Sequence, residues 1–164
     1  MSIEIACEIL TENSFRSFGN ILETRGRKPL EINDGKCLRY DDLATLEVVS
    51  GKIGISIFDS KASKMPHIID YVERHPQGSQ AFIPMYETKF LVVVAKTKVN
   101  TPQKPKAFIA QAGQGVNIHK GIWHGVLTPI EKSGMFAVID RIGPGENLEK
   151  FYYQQTYSVN DVNF

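Results

Sequence analysis

Residues 71–85 read YVERHPQGSQAFIPM, and they place three polar groups, Glu73, His75 and Gln80, just ahead of an apolar run of β type. A second polar cluster, His119 and His124, follows further along the chain in GVNIHKGIWHGV, residues 115–126. A purely structural barrel fills its inward strand positions with Val, Ile and Leu. Two polar clusters set in strand-like sequence therefore point to a site assembled by folding. Outward from this stretch the dominant signal remains β. Residues 45–49, 53–58, 80–85, 90–95, 107–110, 116–119, 125–129 and 135–140 are short β-branched or aromatic runs, each flanked by Gly, Pro, Asn or Lys. One short helix is predicted over residues 12–18, with Thr11 as its N-cap and Gly19 as its stop. Long helical patterns between strands are missing, which excludes a parallel α/β sheet and predicts an all-β sandwich or barrel. Residues 96–106, KTKVNTPQKPK, read as a solvated connection, and residues 151–164 as a docked tail or a partner-contacting arm.

Composition bounds the function. At 164 residues the chain suits one compact domain, 1–164, which buries roughly 70% of the surface its unfolded form exposes. Lys plus Arg number 19 and Asp plus Glu 18, so a net charge of +1 supplies no field to draw nucleic acid or anionic lipid. A small molecule is the expected partner. Cys7 and Cys37 form no CxxC pair and make too thin a disulfide framework for a secreted domain, so both are expected as free thiols. The opening MSIEIACEILTENSF has no basic segment followed by a long apolar stretch, and no run approaches a transmembrane length. The expectation is a soluble cytoplasmic protein.

The two polar clusters carry traces of the paired motifs of cupin barrels. In the first, Glu73 stands at the place of one histidine, His75 at that of the next, and Gln80 at that of the carboxylate. Residues i and i+2 of a strand share a face, so Glu73 and His75 can reach one ion. In the second, Gly113, Gly121 and His124 take the glycine, glycine and histidine positions, and His119 stands where a proline is usual. At the level of whole segments, ERHPQGSQAFIPM, FLVVVA, GQGVNIHKGIWHGVL and AVIDR resemble ureidoglycolate lyases. INDGKCLRYDDLA and FRSFGNILET extend that likeness across most of residues 10–142.

The resemblance implies a cupin-like double-stranded β-helix, a jelly-roll barrel that is commonly a homodimer. It implies release of urea and glyoxylate from (S)-ureidoglycolate with a divalent metal, usually nickel. Carried onto this sequence, it makes Glu73, His75, Gln80 and His124 the candidate metal-facing residues. His75, His119 and His124 are the candidate catalytic groups, His119 the preferred proton carrier, and Gln80, Arg39 and Asp140 the candidate substrate contacts. Glu73 is either a fourth ligand or a partner of the ligands. Breaking the C–N bond of a hemiaminal needs a base, an acid and a holder for the carboxylate, and imidazole suits either proton role near neutral pH. Two imidazoles with a neutral amide make a weaker metal shell than the usual cupin set. A non-catalytic module binding a small carboxylic acid, or another cupin enzyme such as an isomerase, would use the same pocket.

Overall fold

The computed structural model describes residues 1–160 and 162. In chain order its elements are β1 Ile3–Glu4, β2 Cys7–Ile9, α1 Glu12–Phe15, β3 Gly19–Leu22, β4 Leu30–Ile32, β5 Cys37–Arg39, β6 Lys52–Ser60, β7 His67–Arg74 and β8 Gln80–Pro84. There follow β9 Phe90–Ala95, β10 Thr97–Lys98, β11 Thr101–Pro102, β12 Lys106–Ala110, β13 Gly115–Ile118, β14 Trp123–His124, β15 Thr128–Pro129, β16 Gly134–Ile142 and β17 Glu149–Val159. Two sheets carry the fold. One runs β1-β17-β7-β14-β9-β12-β2 with β15 on β9, and the other β3-β13-β8-β16-β6. From β6 onward the chain deals strands between them so that β7-β14-β9-β12 faces β6-β16-β8-β13, all antiparallel. Four strands in each sheet in that order make a jelly roll, and the fold is a cupin-like barrel.

Burial explains the strand sequences. Phe90, Val92 and Val94 of β9 pack inward with Phe108, Phe82, Val116, Phe136 and Val138, while Phe15 and Phe18 close one end. The alternate residues Leu91, Val93 and Ala95 point the other way into a second cluster with Ile109, Trp123 and Val159, against which Phe151, Tyr153 and Tyr157 pack. All six residues of β9 are thus buried, which is why FLVVVA has no polar alternation. The expected tail is therefore a docked strand. β17 pairs with β7 and its aromatic residues cover the outer face of the larger sheet. Asp161, Asn163 and Phe164 of that segment lie outside the described residues.

Three local expectations are corrected. Residues 45–49 are not a strand; a single bridge joins Val48 to Gly78, and the Ser79 and Val49 amides donate to the Glu47 and Gln77 carbonyls at 2.9 Å each. The run 125–129 is broken: β14 ends just before it at His124, and only its last two residues, Thr128–Pro129, pair as β15. The helix stops at Phe15, one turn earlier than expected, although the Thr11 cap is present: its hydroxyl accepts from the Ser14 amide at 3.3 Å. The connection 96–106 carries only the two-residue ladder of β10 and β11. Among the described residues no helix is long and apolar enough to cross a membrane.

Candidate active site

Sheet register brings the two polar clusters together. His124 lies directly opposite Glu73 across β14 and β7 and opposite Val94 across β14 and β9, so all three share the inner face. The chain then leaves β7 through His75 and re-enters the barrel at Gln80, the first residue of β8. The Gly121 amide donates to the His75 carbonyl at 3.0 Å, which seats the turn before β14 against the turn after β7. As a result one donor atom each from Glu73, His75 and His124 lies within 4.8 Å of the others, and the two imidazole centroids are 5.1 Å apart.

Hydrogen bonds decide which nitrogens are free. His124 Nδ1 lies 3.0 Å from the Ile122 carbonyl, which only accepts, so Nδ1 carries the hydrogen and Nε2 presents a lone pair. That Nε2 is buried and has no hydrogen-bond partner among the described residues. Burial, with the His75 ring beside it, pushes the His124 imidazole down to about 4 despite the Ile122 carbonyl, so it is neutral at pH 7. His75 Nδ1 donates in the same way to the Asn147 carbonyl at 2.7 Å. Gln80 donates its amide to Asp140 Oδ2 at 3.0 Å, which turns Gln80 Oε1 toward His75 Nε2, 3.2 Å away. Two acceptors facing one another repel unless a positive species joins them, either a proton on His75 or a cation.

The second option fits the residues present. Glu73, His75 and His124 offer a carboxylate and two imidazole nitrogens, with the Gln80 amide oxygen beside them, a nitrogen and oxygen set suited to a first-row divalent ion. Donors bound at about 2.0–2.2 Å to one ion stand about 3 Å apart, comparable with the His75 to Gln80 separation. The orphaned His124 Nε2 is what such an ion would satisfy.

The other candidates fall elsewhere. Asp140 belongs to the cluster through Gln80. His119 lies outside it, its Nε2 donating to Asn20 Oδ1 at 3.1 Å. Arg39 is exposed on the β4–β5 hairpin and pairs with Asp41. Sequence reasoning missed Asn20, Asn147 and Ile122, the partners that fix the three rings. Two of them act through backbone carbonyls, which leave no mark in a sequence.

Comparison with known proteins identifies the family. A family model described as ureidoglycolate lyase matches residues 2–160. The chain is 48% identical to a ureidoglycolate lyase of Rhodobacter capsulatus over 88% of this chain and 90% of that protein. It is 43% identical to ureidoglycolate lyase 2 of Rhizobium meliloti over 92% and 93% respectively. Among solved structures, a 3,4-ketoisomerase from Helicobacter canadensis overlays with a TM-score of 0.43 at 17% identity, covering 78% of this chain and 86% of that one. With a match over nearly all of its described length, and with the inward polar cluster in place, the chain belongs to the ureidoglycolate lyase family.

Proposed function

We propose that this protein cleaves (S)-ureidoglycolate to glyoxylate and urea at the Glu73, His75, His124 cluster. The convergence of those three donors at one end of the barrel, in a chain of this family, carries the reading. The substrate is a hemiaminal. Removal of its hydroxyl proton lets the oxygen lone pair form the glyoxylate C=O as the C–N electrons leave, and the departing nitrogen takes a proton to become urea. Glu73, His75, His124 and the Gln80 amide oxygen would hold a divalent cation, for which we propose nickel. Such an ion would supply Lewis acidity that lowers the pKa of the substrate hydroxyl.

The chain's own groups orient and move protons. His119, with its Nε2 hydrogen held by Asn20, keeps Nδ1 as a basic nitrogen and is the proposed proton carrier. Asp140 fixes the Gln80 amide and is a proposed contact for the substrate's ureido group. Arg39 is the proposed partner for its carboxylate, in exchange for Asp41. We further propose that the protein works in the cytoplasm as a homodimer, in keeping with its two free cysteines and with the exposed isoleucines of β6.

The test supplies metal-stripped protein with ureidoglycolate, with and without nickel, manganese or zinc, and quantifies glyoxylate, urea and ammonia. Equimolar glyoxylate and urea above the spontaneous rate, enhanced by one ion, is the expected result. Ammonia in place of urea would replace the reaction with an amide hydrolysis. His75→Ala and His124→Ala are each expected to lose turnover by at least about 100-fold while keeping the β-rich circular dichroism spectrum. Full turnover in both would refute the site.

A further inference from the structure

We propose that Asn147 is a positioning residue that fixes the tautomer and ring orientation of His75, through a turn clamped at three points. The turn joins β16 to β17. At its start Arg141, only 8% exposed, donates through Nε to the Ser50 carbonyl and through Nη2 to the Pro144 carbonyl, both at 2.6 Å. In its middle Gln77 donates its side-chain amide to the Glu146 carbonyl and its backbone amide to Asn147 Oδ1, each at 2.7 Å. At its end Glu149 pairs with Arg74 at 2.6 Å, and Arg74 lies over the Trp123 ring. Ser50 Oγ, which also lies 3.3 Å from Arg141 Nη2, donates to Gln77 Oε1 at 2.8 Å and ties the first two clamps together. Gly145, at φ +81°, supplies the left-handed step that lets the turn bend back.

The turn delivers one contact to the site, the Asn147 carbonyl on His75 Nδ1 at 2.7 Å. A carbonyl held there permits only the Nδ1–H form of a neutral ring, so the Nε2 lone pair faces Gln80 and the cluster. Beyond that hydrogen bond to His75, Asn147 contributes no donor atom to the cluster. Its side chain holds the segment in register by accepting from Gln77, and its main chain sets the ring. The inference rests on the reading of His75 as a cation ligand.

The experiment separates the two. In metal-free, 15N-labelled protein, two-bond proton–nitrogen correlations report the His75 tautomer, and calorimetric titration with nickel or zinc reports affinity. Asn147→Ala is expected to turn a single Nδ1–H tautomer into a mixture and to weaken binding about 10- to 100-fold. Asn147→Asp, which keeps the acceptor, is expected to restore the tautomer and most of the affinity. An unchanged tautomer and affinity in Asn147→Ala would overturn the proposal. Absence of cation binding in the unmodified protein would overturn the ligand reading, and the tautomer comparison would still decide the role of Asn147. Should Asn147→Ala not fold, Asn147→Leu, which keeps the shape of the side chain but removes the oxygen that accepts from the Gln77 amide, is judged by the same two readouts.

Discussion

His124 concentrates the site's chemistry in one side chain. Its ring is buried, its Nδ1 is committed to Ile122, and its Nε2 has no partner among the described residues. Burial lowers its titration from 6.5 to about 4, so between those pH values the unfolded chain takes up a proton that the native ring refuses. The stabilising contribution is therefore complete above pH 6.5, falls as the solution is acidified, and is gone below about 4. Its size is about 3 kcal/mol. Urea unfolding of metal-free protein at pH 7.5 and 4.5 checks this, and His124→Gln is expected to flatten the difference by about that amount. A variant that loses stability to acid as steeply as the unmodified protein would exclude His124 as the cause. Glu73 and His75 were legible in the sequence because donors two residues apart on a strand share a face, and Gln80 and His124 because they stand at motif positions of the cupin pattern. The choice of nitrogen on each ring was not, since it depends on carbonyls brought in from distant turns. His119 sits close to His124 in sequence, yet the turn between them directs its ring to Asn20.

Elements become readable when one face is wet and ambiguous when both are covered. β9 and β12 were recognisable as β-branched runs, and their central position follows from burial on two sides. Phe108 shows what that position demands. It is fully buried and meets the edge of Phe15 with ring centroids 5.7 Å apart, so it ties α1 to the inter-sheet core. Phe108→Ala is expected to cost about 3–5 kcal/mol, through lost burial and an unfilled cavity beside an already rigid sheet. A stability loss from urea unfolding smaller than about 1 kcal/mol would mean that the helix collapses into the gap. β7 was harder to see as a strand, because its apolar residues Ile68, Ile69, Tyr71 and Val72 come in adjacent pairs and do not alternate with polar ones, and its value in the sequence lay in its polar end. Residues 45–49 misled for the opposite reason. Their β-branched composition suits a strand, but they lie across the turn at 77–79, where only one bridge can form.

At the scale of the whole molecule the least resolved question in the sequence was what the outer face of the smaller sheet does. β6 is nine residues long, pairs only with β16, and forms the end of its sheet. Its outward residues Ile53, Ile55 and Ile57 are 50%, 74% and 56% exposed, and the register sets Ile55 beside Ile139 and Ile57 beside Ala137, which is itself opposite Ile83. An apolar ribbon thus crosses three strands. Natural edge strands are usually defended by inward charges, proline or a bulge, whereas here Lys52 and Asp59 stand only near the ends of β6. A surface of this kind in a chain of net charge +1 is poorly suited to remaining bare, and in the proposed homodimer a second copy would supply a matching face by two-fold symmetry. The expected outcome is a dimer in multi-angle light scattering at micromolar concentration, with Ile55→Lys shifting it to monomer by placing an unpaired charge in the apolar row. Because Ile55 points away from the His75 and His124 cluster, the variant should keep cation binding at that end of the barrel. A monomeric unmodified protein, or a dimer untouched by Ile55→Lys, would move the interface to another surface and leave the ribbon without this partner.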